Sequence, residues 1–425
     1  MASRVWANFG QLVSGRLVSA LLTFAATVIM ARSLGPAEFG GVVILHTYVL
    51  VARALMNLKP EEAFVRFGVP LIDQDDRQSV VVLLGVVRII ELLSMLAATA
   101  LAVCAAPFVG PYLGWSDETI VFAMLYSLVL LGSAIGSARG MCRAFERFDL
   151  LRTQLTVGPA TRLSGVCLAW YFDASWHYFA LAWGIGLLAS YIYFRRQGRK
   201  LLREHGYRPQ HVSLAEAKRR FPGLTNFVGV VYLQGNLDQL PRHLVTLLLG
   251  GFLGNAAAGL YRIAREIADI LAKPVQLVRQ AAFTELTRVA ENDPSALRGR
   301  VVKDSLKLLL PSIVMIGVGI LWGERILGLV AGLEYQGAYL LFVFLLAAAG
   351  IELLGALLRP LAYVVGRENQ ALAVQVLTTF VYLGAFLALS SCWGVDAVGI
   401  AACIAAILSV VLMGFVVRAP RRTNE

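Results

Sequence analysis

The sequence predicts an all-α membrane protein of about twelve transmembrane helices, arranged as two six-helix lobes in a parallel pseudo-two-fold repeat. Three observations predict it. The chain of 425 residues is 58% hydrophobic and only 15% charged, with a mean hydropathy of +0.69, whereas soluble domains carry about a quarter charged residues. Apolar runs of about 20 residues, enough to cross a bilayer as a helix, recur from one end to the other. A short motif, LGPAEFG at Leu34–Gly40, returns as LGNAAAG at Leu253–Gly259, an offset of 219 residues.

The runs fall at 11–34, 39–57, 79–106, 118–138, 153–172, 176–194, 223–250, 256–278, 304–331, 338–358, 369–390 and 394–416. The first is too long for a signal-peptide core and no convincing cleavage site precedes the next run, so it is expected to be retained. Arg16 and Arg53 sit near the cytoplasmic ends of spans one and two. There a long side chain can snorkel to the interface, although both are also candidate cavity cations. Arg88 and Glu91 stand i,i+3 on span three and can pair. Arg162 falls near the centre of span five with no acid on its own helix, which makes it the best first-half candidate for an unpaired cation facing a cavity. In span seven, Pro241 lies between Asp238 and Arg242. A proline there frees a backbone carbonyl and is tolerated where protein or a cavity satisfies it again; a plain Asp238–Arg242 pair is the structural alternative. Glu352 is placed centrally in span ten, where it can answer Arg162 or titrate.

The lobes are expected at 1–194 and 223–416, with a basic cytoplasmic linker at 195–222 and a tail at 417–425. Counting positive charge orients them. With the N-terminus in the cytoplasm, and residues at span ends counted with the adjoining connection, 29 Lys and Arg residues fall on the cytoplasmic side, two (Arg32 and Arg325) on the other, and seven deeper within spans. This asymmetry places both termini in the cytoplasm. It also accounts for the net charge of +11 without nucleic acid. The five cysteines show no CxxC or metal spacing, so neither a disulfide framework nor a metal site is expected. A Walker A sequence does not occur.

Span eight contains GLYRIAREIADILAKP, with Arg262, Arg265, Glu266, Asp269 and Lys273. At helical spacing all five share one face about 100° wide, and Ile263, Ile267, Ile270 and Leu271 take the other. A charge at membrane depth costs a few kcal/mol, so the stripe is expected to face protein or a wet cavity. Arg262–Glu266, Arg265–Asp269 and Asp269–Lys273 are i,i+4 pairs, so a structural salt ladder is the competing reading.

The segments RLVSALLTFAATVIMARSLGPAEFG and LDQLPRHLVTLLLGGFLGNAAAGLYRIAREIADIL carry a resemblance. RSLGPAEFG closing span one, and an Asp in span seven followed by LGxxxxGLYxxA, are similar to the polysaccharide transporter family of the multidrug/oligosaccharidyl-lipid/polysaccharide (MOP) exporter superfamily. That family contains the O-antigen flippases. The resemblance implies a multi-pass protein of the bacterial inner membrane with no enzymatic activity, acting in lipopolysaccharide or other surface polysaccharide biosynthesis. Its cargo would be an undecaprenyl-diphosphate-linked oligosaccharide, moved from the cytoplasmic to the periplasmic leaflet by alternating access through a cationic interlobe cavity. Partners would be the lipid bilayer, this lipid-linked glycan, and a polysaccharide polymerase or other assembly proteins.

The chemistry suits such a cargo. A diphosphate presents forked anionic oxygens that Arg matches bidentately while staying ionised. Arg16, Arg53, Arg88, Arg162, Arg242, Arg262, Arg265 and Lys273 are the candidate cavity cations. No cofactor is expected; Asp238, Glu266, Asp269 and Glu352 are candidates for coupling to H+ or Na+. Two readings compete. A small-molecule antiporter of the multidrug and toxin extrusion (MATE) type would need acids for an organic cation. A membrane-embedded polymerase or ligase typically carries a large outer loop, and here every outer connection is short.

Overall fold

The computed structural model describes residues 2–207, 219–272 and 297–418. The described residues are almost wholly helical, and eight helical stretches are long and apolar enough to cross a membrane. Each of the twelve expected spans overlaps a helix. Contacts group the chain into two compact units: residues 1–34 with 41–247, and 35–40 with 248–425.

The first unit opens with α1 (Ala2–Met56), which holds one non-helical residue, Gly35, at φ 68, ψ 175. A positive φ of this kind is open to glycine and costly elsewhere. Pro36 follows, its fixed φ suited to restarting a helix and its missing N–H a donor that a first turn leaves unused. The expected spans one and two are the two sides of this break. α2 (Pro60–Asp73) fills what the sequence treats as a connection. Lys59 turns the chain at φ 51, Pro60 starts the helix, and Glu61 and Glu62 occupy the first turn, where the helix dipole favours negative charge.

α3 (Arg77–Val109) is capped by Asp76, whose carboxylate accepts from the Ser79 amide at 3.0 Å. Span four is not one helix. α4 (Asp117–Ser127) tightens into a 3-10 turn at Leu128–Gly132, and α5 (Gly136–Ala144) follows. The interruption lets α5 lie on α2: side-chain atoms of Pro60 and Phe64 stand where a Cβ on Gly136 or Gly140 would go. Arg139 and Arg143, one turn apart, pair with Glu61 at 3.4 Å and Glu62 at 2.5 Å.

α6 (Phe148–Tyr171) and α7 (Trp176–Glu204) approach through Gly158 and Gly165 against Gly186 and Ala182. Small residues allow this closeness, and in lipid such packing is what holds helices together. α7 runs straight through the first ten residues of the expected linker, and the first unit continues to Leu247. It thus takes most of α8 (Leu224–Leu253), the helix expected to open the second lobe. One reason is visible: the Tyr232 hydroxyl donates to the Leu55 carbonyl at 2.7 Å.

In the second unit, Gly254 at φ 85, ψ 173 precedes α9 (Asn255–Leu271). It repeats the backbone of Gly35 at the offset of 219. α10 (Leu297–Lys307), α11 (Leu309–Ala331), α12 (Tyr339–Leu354), α13 (Leu358–Val364), α14 (Glu368–Trp393) and α15 (Asp396–Arg418) complete it. α11 meets α12 through Gly319 under Leu346, Gly323 under Phe342, and a 3.0 Å hydrogen bond from the Ser312 hydroxyl to the Gly350 carbonyl. Arg359 and Arg367, which lie between the expected spans 338–358 and 369–390, are not loose. Arg359 lies on α13 and donates to Tyr363 and Gln375; Arg367 is buried and donates to the Val416 carbonyl.

Candidate functional site

Several basic side chains of the first unit line one small cavity. The last turn of α1 brings Arg53 and Asn57, the left-handed turn after it brings Lys59, α5 brings Arg139, and α8 brings Asn236 and His243. The space they line is about 190 Å³. Each cation is aimed by its neighbours. The Arg53 guanidinium lies 5.3 Å from the Tyr191 ring centroid, and that of Arg139 lies 5.5 Å from Phe194. The Lys59 amide donates to the Asn57 carboxamide oxygen at 3.2 Å. Gly235 leaves room on α8 for the Lys59 side chain, which stands where a Cβ would go. Among the described residues Glu61 is the carboxylate paired with this group, and it is engaged by Arg139. Among the described residues the lining keeps a cationic surplus beside two neutral amides, a donor set that suits phosphate and hydroxyl oxygens.

Of the expected cations among the described residues, Arg53 alone lines this pocket. Its companions Lys59, Arg139 and His243 were not singled out. The available signal was the Pro-Glu-Glu run after Lys59 matched to Arg139 and Arg143 at helical spacing, which ties α2 to α5.

Arg162 is not a solitary cation. It is half-buried on α6 with its guanidinium 4.8 Å from the Trp183 ring centroid, and the lack of a side chain at Gly186 leaves room beside it. Trp183 in turn meets His46 edge-on at 4.8 Å, and His46 Nδ1 lies 2.8 Å from the Tyr126 hydroxyl. His46, Tyr126 and Trp183 are all buried. Arg162 thus belongs to a polar-aromatic cluster drawn from four helices, of which the sequence reading saw one member.

In the second unit, α9 carries the charged stripe as expected. Arg262 pairs with Glu266 at 2.7 Å and Arg265 with Asp269 at 3.0 Å. Ile263, Ile267, Ala264 and Ala268 are buried on the other face. The stripe keeps partial access: the Glu266 side chain is 19% exposed and that of Asp269 53%. The ion pairs of the ladder reading are present, and the charged face is partly open. Lys273 lies outside the described residues.

The remaining candidates separate. Arg16 and Arg242 are exposed on α1 and α8. The side chain of Asp238 lies outside what the structure describes, and with it the Asp238–Arg242 pair. Arg88 is exposed on α3 and makes no ion pair with Glu91; Glu91 instead is buried and accepts from the Ser137 amide at 3.2 Å, closing the first turn of α5. Glu352 lies near the middle of the apolar stretch Leu333–Val364. α12 ends at Leu354, and Glu352 is exposed on its last turn. Among the described residues no group of His, Cys, Asp and Glu could hold a metal ion.

Paired broken helices, spans joined through glycine, and a basic pocket among them define a multi-pass helical membrane protein with the fold of the MOP-superfamily exporters. An inward closed structure of the lipid II flippase MurJ superposes with a TM-score of 0.76 at 14% identity, covering 96% of this chain and 87% of that one. An inward-facing multidrug resistance MATE family transporter gives 0.73 at 14% identity, covering 96% of each. Residues 5–283 match the family described as polysaccharide biosynthesis protein, and the chain belongs to that family, the polysaccharide transporters of the MOP superfamily. The inner membrane protein YghQ of Escherichia coli (strain K12) is 28% identical over 335 residues, 78% of this chain and 94% of that protein.

Proposed function

We propose that the protein is a flippase of the bacterial inner membrane that carries a polyprenyl-diphosphate-linked oligosaccharide from the cytoplasmic to the periplasmic leaflet during surface polysaccharide synthesis. The observation that carries this reading is the pocket of Arg53, Lys59 and Arg139 with Asn57 and Asn236. The arginine forks and the lysine match a diphosphate, and the amides can take the first sugar's hydroxyls. The prenyl tail stays in lipid throughout, so the protein need handle only the charged and hydroxylated part. Arg262 and Arg265, in the second unit, would also meet anionic cargo, with Glu266 and Asp269 as exchangeable counter-charges open to H+ or Na+ coupling. An enzymatic role gains no support from this donor set, and a cationic pocket is the wrong sign for an organic-cation antiporter. The expected orientation has both termini in the cytoplasm, and a polymerase would receive the cargo outside.

The test removes charge from the pocket. In the source organism, Arg53→Ala with Lys59→Ala is expected to cut surface polysaccharide at least about tenfold and to accumulate the lipid-linked glycan, since a charged hydrogen bond is worth about 1.5–3 kcal/mol. Arg53→Lys with Lys59→Arg is expected to keep part of the activity. Normal polysaccharide from the double-alanine variant, at wild-type protein level, would remove the pocket from the transport path.

A further inference from the structure

A second basic site lies on the first unit, lined by different residues. Arg88 on α3 and Arg195 and Arg199 on α7 edge a groove of about 190 Å³ whose floor includes Glu91 and Ser137. All three arginines are exposed, and among the described residues none forms an ion pair. Glu91 does not neutralise them: it is buried at the base and bonded to the Ser137 amide. The groove therefore holds three cations against one carboxylate already engaged.

Its surroundings say what kind of anion fits. Leu92 lines the groove one turn beyond Arg88, and Leu93 and Leu96 continue as exposed apolar surface on α3. Ile192 and Ile185 do the same on α7. Both helices thus carry arginine at their cytoplasmic side and open aliphatic side chains further into the bilayer. Arg88 lies about 16 Å along the axis from the start of α3. An exposed arginine inside this apolar span, Arg77–Val109, costs a few kcal/mol against hydrocarbon, a cost that a phosphate drawn in beside it removes. Basic pockets between helices on the cytoplasmic side suit anionic headgroups.

We propose that this groove binds the headgroup of an anionic phospholipid of the cytoplasmic leaflet, with its acyl chains lying along Leu92, Leu96 and Ile192. α5 forms a wall of both basic sites, offering Ser137 and Ala138 to the groove and Arg139 to the pocket. A lipid seated here braces the helix that presents Arg139.

The test uses purified full-length protein stripped of lipid in detergent. Cardiolipin or phosphatidylglycerol is expected to bind and to raise the unfolding temperature; phosphatidylethanolamine and inorganic phosphate are not. At about fivefold per arginine, Arg88→Ala/Arg195→Ala/Arg199→Ala is expected to weaken cardiolipin binding about a hundredfold. Arg195→Gln/Arg199→Gln, confined to two exposed positions, gives about twenty-five-fold and serves if the triple variant does not fold. Arg53→Ala is expected to leave lipid binding intact, which separates this groove from the substrate pocket. Unchanged cardiolipin affinity in the folded arginine variants overturns the proposal. So does stabilisation of equal size by inorganic phosphate, which needs no lipid, or by phosphatidylethanolamine, which needs no net negative charge.

Discussion

Gly40 lies directly against the backbone carbonyl of Asn255, and Gly259 lies directly against that of Pro36. The two contacts interchange under the offset of 219: Pro36 corresponds to Asn255 and Gly40 to Gly259. The repeated motifs therefore meet each other reciprocally, as two copies about a local two-fold would. Backbone, which cannot swing aside, stands where each Cβ would go. Gly40→Ala and Gly259→Ala are each expected to lower the stability of the purified protein by about 1–3 kcal/mol, read as a fall in unfolding temperature. Gly414→Ala, where a Cβ meets nothing within 4 Å, is expected to be neutral or stabilising by up to about 1 kcal/mol. A large effect at Gly40 with none at Gly259 would break the reciprocity.

The repeat was legible because a glycine-bearing break between two apolar helices leaves a local signature, and Gly35 and Gly254 share their unusual backbone. The basic pocket was not. Counting positive charge assigns a residue to a side of the membrane, and Lys59 and Arg139 were duly assigned to the cytoplasmic connections. It does not reveal that α2 and the broken fourth span fold those connections back against α1 and α8. Arg162 was found for its depth, but its partner Trp183 is set by the α6–α7 register, which periodicity on one helix cannot supply.

The stripe on α9 separates stability from function. Exposed i,i+4 pairs contribute about 0.5 kcal/mol or less, and in Arg265–Asp269 the aspartate is 53% exposed while the arginine is 26% exposed. Exchanging them, Arg265→Asp with Asp269→Arg, is expected to shift the unfolding temperature little while sharply reducing surface polysaccharide. Full activity in the exchanged protein would assign the pair a structural role alone.

The Arg162–Trp183 stack gives an ordered series. A cation over an indole face in a desolvated setting is worth up to about 2 kcal/mol, and Trp offers the best face. Trp183→Phe is expected to retain part of the stability and Trp183→Leu to lose more, with Arg162→Ala erasing the difference between them. If Trp183→Phe and Trp183→Leu remain unequal by the same amount after Arg162→Ala, ring packing and not the cation decides the order.

Asp76 gives a pH dependence outside the membrane. Its hydrogen bonds from the Ser79 side chain and amide hold the carboxyl below the usual carboxylate range, and Arg220 adds to this. A carboxyl depressed on folding supports the fold above its unfolded value of about 4 and loses that support as pH falls through the lower, folded value. Amide exchange in the first turn of α3, Ser79 above all, is expected to speed up below about pH 4 beyond its intrinsic trend. Asp76→Ala is expected to show the fast exchange at every pH, so a preserved slow Ser79 amide in that variant would take the cap away from Asp76.

Ser116 tests the orientation. It is exposed and caps α4, accepting from the Thr119 amide at 3.2 Å. Ser116→Cys gives up that cap, at about 1 kcal/mol, and leaves a thiol beyond the end of the span. Cys104 and Cys392 are exposed and are replaced with serine to clear the background, whereas Cys142 is buried. With both termini in the cytoplasm, an impermeant maleimide is expected to label Cys at 116 in intact cells with a permeabilised outer membrane. Arg203→Cys, exposed at the far end of α7, is expected to label only after the inner membrane is opened. Reversal of the two patterns would invert the protein in the membrane. It would also move the pocket of Arg53, Lys59 and Arg139 to the side where a flippase releases its cargo.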